Sequence, residues 1–208
     1  MITAASHVLR DLLLAPRCAG CAAPGGWFCS DCRDLCDPVE ARARLRVTAA
    51  GVYGGPLRAA VRRFKYGGES GLAAELGALV AERVAADLAR GVCLDVVVPA
   101  VLHVERARSR GYDQARLLVT EVARRISLPA RVPLRRIRAA RPQVELDRAA
   151  RADNVRGAFV AEAGALRGLR VALVDDVSTT GATLAAAAVA LRAAGARDVR
   201  AYVVAIDE

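Results

Sequence analysis

The chain has 208 residues, of which 54% are hydrophobic, and a formal net charge of +9. That is room for one domain of ordinary size, a small appendage and a packed core. No apolar run approaches the ~18 residues that a helical membrane span needs, so no span is expected. The 31 basic against 22 acidic residues favour polyanions or phosphorylated ligands, although arginines scattered over a solvated surface give the same total.

The opening segment, MITAASHVLRDLLLAPRC, carries a short apolar patch that contains Asp11 and has only Arg10 ahead of it. It lacks a convincing cleavage site and reads as a short amphipathic helix, so a cytoplasmic protein is expected. Cys18, Cys21, Cys29 and Cys32 follow as two CxxC pairs separated by AAPGGWF. Each CxxC turn presents two thiolates to one ion, and the four together suit a tetrahedral Zn²⁺. A pair of disulfides is the competing arrangement, disfavoured in a cytoplasmic setting. A saturated Cys₄ site leaves no open position for a reactant, so the metal is expected to be structural. Trp27 and Phe28 either fill the core of this knuckle, the favoured reading, or stack on bases. Cys36 is left over, and Cys93 in its apolar run reads as an inert core thiol.

Residues 34–46 are charged and without a clean pattern, and read as a linker. The chain is thereby divided into residues 1–45 (helix, four-cysteine module and linker) and a main domain of 46–208. In that domain 47–53 suits a strand, Gly54-Gly55-Pro56 a turn, and 57–64 a helix. Lys65 is the only lysine in the chain. A sequence that uses arginine everywhere else places a compact ammonium here for a reason, unless the placement is chance. Residues 71–90 form a long amphipathic helix and 94–98 a strand that ends at Pro99. The loop that follows carries Arg106, Arg108 and Arg110 ahead of Gly111; it is either a phosphate site or an exposed basic loop. A helix over 112–126 stops at Leu128-Pro129, and 131–134 suits a short strand. Residues 135–156 are polar and arginine-rich. So long a stretch without a clear pattern reads as a lid over the site, with helix over 147–154 as the alternative for part of it. Neither His7 nor His103 sits in a triad-like pattern, and neither is given a role.

The last third holds the most informative stretch, VALVDDVSTTGATL over 171–184. A buried strand leads through Asp175 and Asp176 into a Thr/Gly loop and then an alanine-rich helix starting near Thr183 and capped by Gly195. A helix N-terminus is an anion site. Carboxylates at the C-terminal end of a parallel strand can accept hydrogen bonds from sugar hydroxyls. Together they suggest a phosphorylated sugar. A strand over 199–206 completes the chain.

VALVDDVSTTGATL resembles the phosphoribosyl-pyrophosphate (PRPP) motif of type I phosphoribosyltransferases. LLLAPRCAGC with its second CxxC, FKYGG, SRGYDQA and PQVELDRAARADNVRGAF resemble the ComF family in order and spacing, from about Leu12 to Ile206. The resemblance implies an α/β protein of the phosphoribosyltransferase type I fold, a mostly parallel sheet flanked by helices, with a small N-terminal Cys₄ zinc module. It implies that Asp175 and Asp176 accept bonds from the ribose hydroxyls. Ser178, Thr179, Thr180, Gly181, Ala182 and Thr183 would wrap the 5-phosphate. The turn beginning at Pro99 and Ala100 would take pyrophosphate, with Arg110 adding charge and 135–151 forming a lid. Lys65 falls in an LKYxG pattern, with Phe64 in place of leucine; neutralising PRPP phosphates is the suggested role. The chain reads VPAV where family members often read VPVP, which leaves the shape of the pyrophosphate turn open. The family is linked to natural competence and incoming single-stranded DNA. The implied activity is Mg²⁺-dependent phosphoribosyl transfer from PRPP to an acceptor that no motif identifies. The alternatives are a non-catalytic single-stranded-DNA-binding accessory and a PRPP-sensing regulator. Transferases of this fold often form homodimers.

Overall fold

The computed structural model describes residues 16–42, 45–100, 112–137 and 157–207. In chain order its elements are α1 (Ser30–Asp34), β1 (Val39–Arg42), β2 (Arg46–Val52), α2 (Gly55–Tyr66), α3 (Leu72–Ala89) and β3 (Val96–Pro99). Then come α4 (Gln114–Ile126), β4 (Leu134–Arg136), β5 (Phe159–Ala161), β6 (Arg170–Ser178), α5 (Ala182–Ala193) and β7 (Asp198–Ile206). Five strands form one sheet in the order β1-β2-β7-β6-β3. The pairings β2–β7, β7–β6 and β6–β3 are parallel, and β1 closes one edge antiparallel. The centre of the sheet is β6 and β7, whose near-continuous apolar runs are the signature of strands covered on both faces.

Alternation along β6 divides the core. Ala172 and Val174 face a cluster built on Phe64, Leu72, Leu76 and Leu118, from α2, α3 and α4. Val171 and Leu173 face a second cluster that includes Leu184 and Leu191 of α5. Within the first, Tyr202 donates its hydroxyl to Asp87 at 2.9 Å, which satisfies both buried groups. Among the described residues no helix is long and apolar enough to cross a membrane.

Several boundaries differ from the expectations, each for a local reason. The segment read as a linker contains α1 and the edge strand β1, a short charged strand of the kind edges tolerate. β3 starts at Val96, because Asp95 turns aside to make a two-pronged ion pair with Arg170 (2.7 and 2.8 Å). That pairing holds the Asp95 carboxyl at about 2. β6 continues through both acids to Ser178, because β7 extends alongside it as far as Ile206. The strand expected at 131–134 is displaced to β4, which pairs antiparallel with β5. The start of the expected lid, Arg135 and Arg136, is therefore strand, and 138–156 lie outside the described residues. Cys93 is an exposed thiol rather than a core one.

The four-cysteine segment packs on the main body rather than apart from it. Cys18, Phe28 and Cys32 are buried in the same cluster as Phe64 and Leu72. Arg63 Nη1 donates to the Cys18 carbonyl (3.4 Å), and Arg33 pairs with Glu82 (2.5 Å) and Glu75 (3.4 Å) of α3. Trp27 lies directly over Gly71: a Cβ there would come within 2.5 Å of the indole Nε1. Gly71→Ala should therefore unseat the ring and lower stability by about 1–3 kcal/mol. For a chain of this size that is about 2–4 °C in Tm per kcal/mol. Thermal melts, together with the emission of the single tryptophan, read the change. An unaltered Tm and spectrum would show that this contact is not what docks the module.

Candidate functional site

At the C-terminal edge of the sheet, two consecutive carboxylates stay within a β-ladder and present to opposite faces. Asp176 is buried and Asp175 half-buried. Asp175 Oδ1 accepts the Asp176 amide (2.9 Å), and Asp176 Oδ1 accepts the Val177 amide (2.6 Å). Lys65 Nζ lies 2.8 Å from the same Asp176 Oδ1. Each acid thus uses Oδ1 to hold itself in place.

Lys65 belongs to the last turn of α2, fixed by its neighbour Phe64. The Phe64 side chain is buried, its carbonyl accepts the Tyr112 hydroxyl, and its ring lies 5.7 Å from that of Tyr112. Next to Tyr112, Asp113 caps α4 by accepting the Arg116 amide at 3.2 Å. Burial raises the Asp113 carboxyl, and the charge on Asp176 adds to the rise. Asp113 is thus a third acid within electrostatic reach of the pair. Its signal in the sequence was only that of an N-cap, an Asp just ahead of a helical pattern.

Burial pushes the Asp175 carboxyl up to about 8, reinforced by the Asp176 charge and opposed by Lys65. Burial alone would lower the Lys65 ammonium, but Asp176 and Asp175 together hold it above its ordinary value. The pair thus resembles the environments in which functional carboxyls are found, desolvated and coupled to a specific partner.

From Ser178 the chain leaves the sheet. Thr179 is exposed, and Gly181 turns at φ +71°, a left-handed conformation that side chains disfavour. α5 then begins at Ala182 with no side-chain cap and no acidic residue in its first turn. The Ala182 amide donates to Thr180 Oγ1 at 3.4 Å, and the positive end of the dipole, with the other first-turn amides, suits an anion. Pro99 and Ala100 stand beside this edge: Pro99 pairs with Val174, and the Ala100 amide donates to the Val174 carbonyl at 2.8 Å. Lys65, Pro99, Ala100, the two acids and the 178–183 loop therefore share one end of the sheet. Arg110 lies outside the described residues.

The cysteines form a separate centre. The Sγ atoms of Cys18, Cys21, Cys29 and Cys32 all lie within 4.8 Å of one another. All four are free thiols, so the disulfide arrangement is not adopted. The amides of Gly20 and Cys29 both donate to Cys18 Sγ at 3.4 Å. Burial would raise the Cys18 thiol, but these amides and that of Cys21 outweigh it and bring it down to about 6. Burial and the neighbouring sulfurs push Cys32 up. Four sulfurs this close, with thiolate character supported by backbone donors, fit a four-coordinate metal ion.

Residues 74–207 match the phosphoribosyl transferase domain. The chain belongs to this family of phosphoribosyltransferase-type proteins. Over most of its length it is similar to a DNA utilization protein and to a competence protein. It is 30% identical over 201 residues to the DNA utilization protein YhgH of Salmonella typhimurium, covering 95% of this chain and 86% of that one. It is 27% identical over 192 residues to competence protein F of Haemophilus influenzae, covering 90% and 83%. At 90–95% of this chain, both alignments run over nearly its whole length. A solved glutamine PRPP amidotransferase from B. subtilis, complexed with ADP and GMP, overlays with a TM-score of 0.47 at 21% identity, covering 69% of this chain and 30% of that one.

Two outcomes follow. Asp175 starts from an ordinary value of 3.8. Raised in the fold, it keeps a proton that the unfolded chain releases between about pH 4 and pH 8. Stability from this group is complete below about pH 4 and is lost as pH climbs through about 8. Asp175→Asn should remove that loss, so the variant's Tm advantage should grow from pH 5.5 to pH 8.5, to about 1–2 kcal/mol. A gap that does not change with pH would mean that Asp175 is ionised throughout. Separately, stripping the metal with a chelator should lower Tm and red-shift Trp27 emission, because the cysteine segment shares its core with α2 and α3. A chelator-treated protein that melts unchanged would show that the cluster holds no stabilising ion.

Proposed function

We propose that this chain binds PRPP with Mg²⁺ and transfers its phosphoribosyl group to an acceptor, with a structural Zn²⁺ in the Cys₄ cluster. One observation carries the reading. Two acids near the end of β6 are joined by its final residues and a three-residue loop, 179–181, to a helix N-terminus that has no acidic residue in its first turn. That puts hydroxyl acceptors and a phosphate cradle a few residues apart on one edge of the sheet. Asp175 and Asp176 accept the ribose hydroxyls. Ser178, Thr179, Thr180, Gly181, Ala182 and Thr183 enclose the 5-phosphate through amides and hydroxyls. Pro99 and Ala100 border the place left for pyrophosphate. When bound, Mg²⁺, held largely by the ligand's own oxygens and water, neutralises charge on the pyrophosphate. The protein's share is to position C1 and screen the departing charge as the acceptor–C1 bond forms and the C1–pyrophosphate bond breaks. A cytoplasmic location fits the free thiols.

A second reading, a single-stranded-DNA-binding accessory, is favoured by the names of the relatives and by one surface feature. Arg58 and Arg62 are exposed one turn apart on α2, and neither has an ion pair among the described residues. Such binding would weaken steeply with salt.

Millimolar PRPP with Mg²⁺ should raise the Tm of the zinc-loaded protein, by about 2.7 kcal/mol of stability at 100 times Kd. The double variant Asp175→Asn/Asp176→Asn should abolish the rise. No stabilisation of the wild type sinks the PRPP reading, and mass spectrometry after incubation with a pool of bases tests for transfer. Filter binding of single-stranded DNA at two salt concentrations tests the second reading, which fails if no complex forms at low salt.

A further inference from the structure

We propose that Lys65 is the positioning residue of the acid pair: its single ammonium occupies one oxygen of Asp176 and leaves the other to a sugar hydroxyl. This makes the site selective for two neighbouring hydroxyls of a ribose phosphate. The inference rests on the sugar-phosphate reading above and assigns Lys65 a different task from neutralising phosphate.

The geometry carries it. Lys65 Nζ and the Val177 amide both meet the same oxygen, Asp176 Oδ1, at 2.8 and 2.6 Å. The Lys65 and Asp176 side chains are only 17% and 9% exposed, so the pair is largely withdrawn from water. Lys65 cannot readily drift away from it. Successive helical residues point about 100° apart, and the last turn of α2 uses three in a row as anchors. Arg63 reaches the Cys18 carbonyl, Phe64 is buried against Tyr112, and Lys65 reaches Asp176.

The side-chain type matters as much as the charge. An ammonium is a point donor and satisfies one carboxylate oxygen, whereas a guanidinium is a planar fork that grips both. An arginine here would take Oδ2 as well and close the position that a hydroxyl needs. This gives a physical reason for the chain's only lysine among its 31 basic residues. The ammonium also faces Asp175, Asp176 and Tyr66, and Asp113 lies beside the same acids. Without the ammonium's charge, Asp175, whose rise Lys65 now opposes, would hold its proton to still higher pH.

The test is calorimetry of the full-length, zinc-loaded protein with PRPP, ribose 5-phosphate and 2-deoxyribose 5-phosphate. Wild type should bind ribose 5-phosphate about tenfold more tightly than the deoxy sugar, about one hydrogen bond's difference. Lys65→Met should narrow that ratio to below about threefold and move binding to higher pH. Lys65→Arg should keep the wild-type Tm and pH profile, yet bind ribose 5-phosphate about tenfold more weakly. Arginine restoring full binding, or methionine leaving the ratio unchanged, overturns the proposal while the PRPP reading stands. Wild type binding neither sugar phosphate nor PRPP overturns both. A measurement without variants guards against misfolding: ¹³C-lysine labelling gives one ε-carbon signal. It should keep the shift of a buried ion pair when ribose 5-phosphate is added. Movement to the position of a solvated ammonium would show that the ligand displaces Lys65, and the proposal would fail.

Discussion

The ion pair between Lys65 and Asp176 is the contact on which the rest of the site depends. Three elements far apart in the chain meet there: the end of α2, the end of β6 and, through Tyr112 and Asp113, the start of α4. A buried carboxylate is costly unless paired and hydrogen-bonded, and Asp176 is both. Asp175 is less well provided for. It lies beside a negative charge, largely withdrawn from water, with one bond from the Asp176 amide. Desolvated carboxyls coupled to a specific partner are common where ligands bind.

The parallel ladder sets the stage for this pair. Because β6 and β7 stay in register to Ser178 and Ile206, the acids are held by strand backbone rather than by a loop. The anion-binding turn then begins from a rigid edge. The positive-φ turn at Gly181 aligns the uncapped end of α5 with that edge. The two acids and the first turn of α5 are thus fixed relative to each other before any ligand arrives, which would lower the ordering cost of binding one there.

Much of this was legible in the sequence, because the signals are local. VALV read as a buried parallel strand, 199–206 as a further strand, and the two CxxC pairs as one cluster. What escaped depends on partners distant in sequence. β1 is recognisable only once β2 lies beside it. β3 begins at Val96 only because Asp95 finds Arg170. Lys65 stood out by its rarity, but a helix pattern carries no record of which acid a lysine will meet. Asp113, inside the helix expected over 112–126, is instead its N-cap; its closeness to the acid pair arises from the packing of α4 on the sheet.

The shared core of the cysteine segment changes what kind of object this protein is. Phe28 and Cys32 sit in the same hydrophobic cluster as Phe64 and Leu72, and Trp27 covers the approach to α3. A cut between residues 45 and 46 would not separate two cassettes. It would open an interior, leaving one piece with an uncovered α2 and the other with too few contacts to hold its shape. The segment is better regarded as a wall of the transferase-type body than as an appended tag, and a lineage that lost its cysteines would have had to rebuild that wall from other side chains.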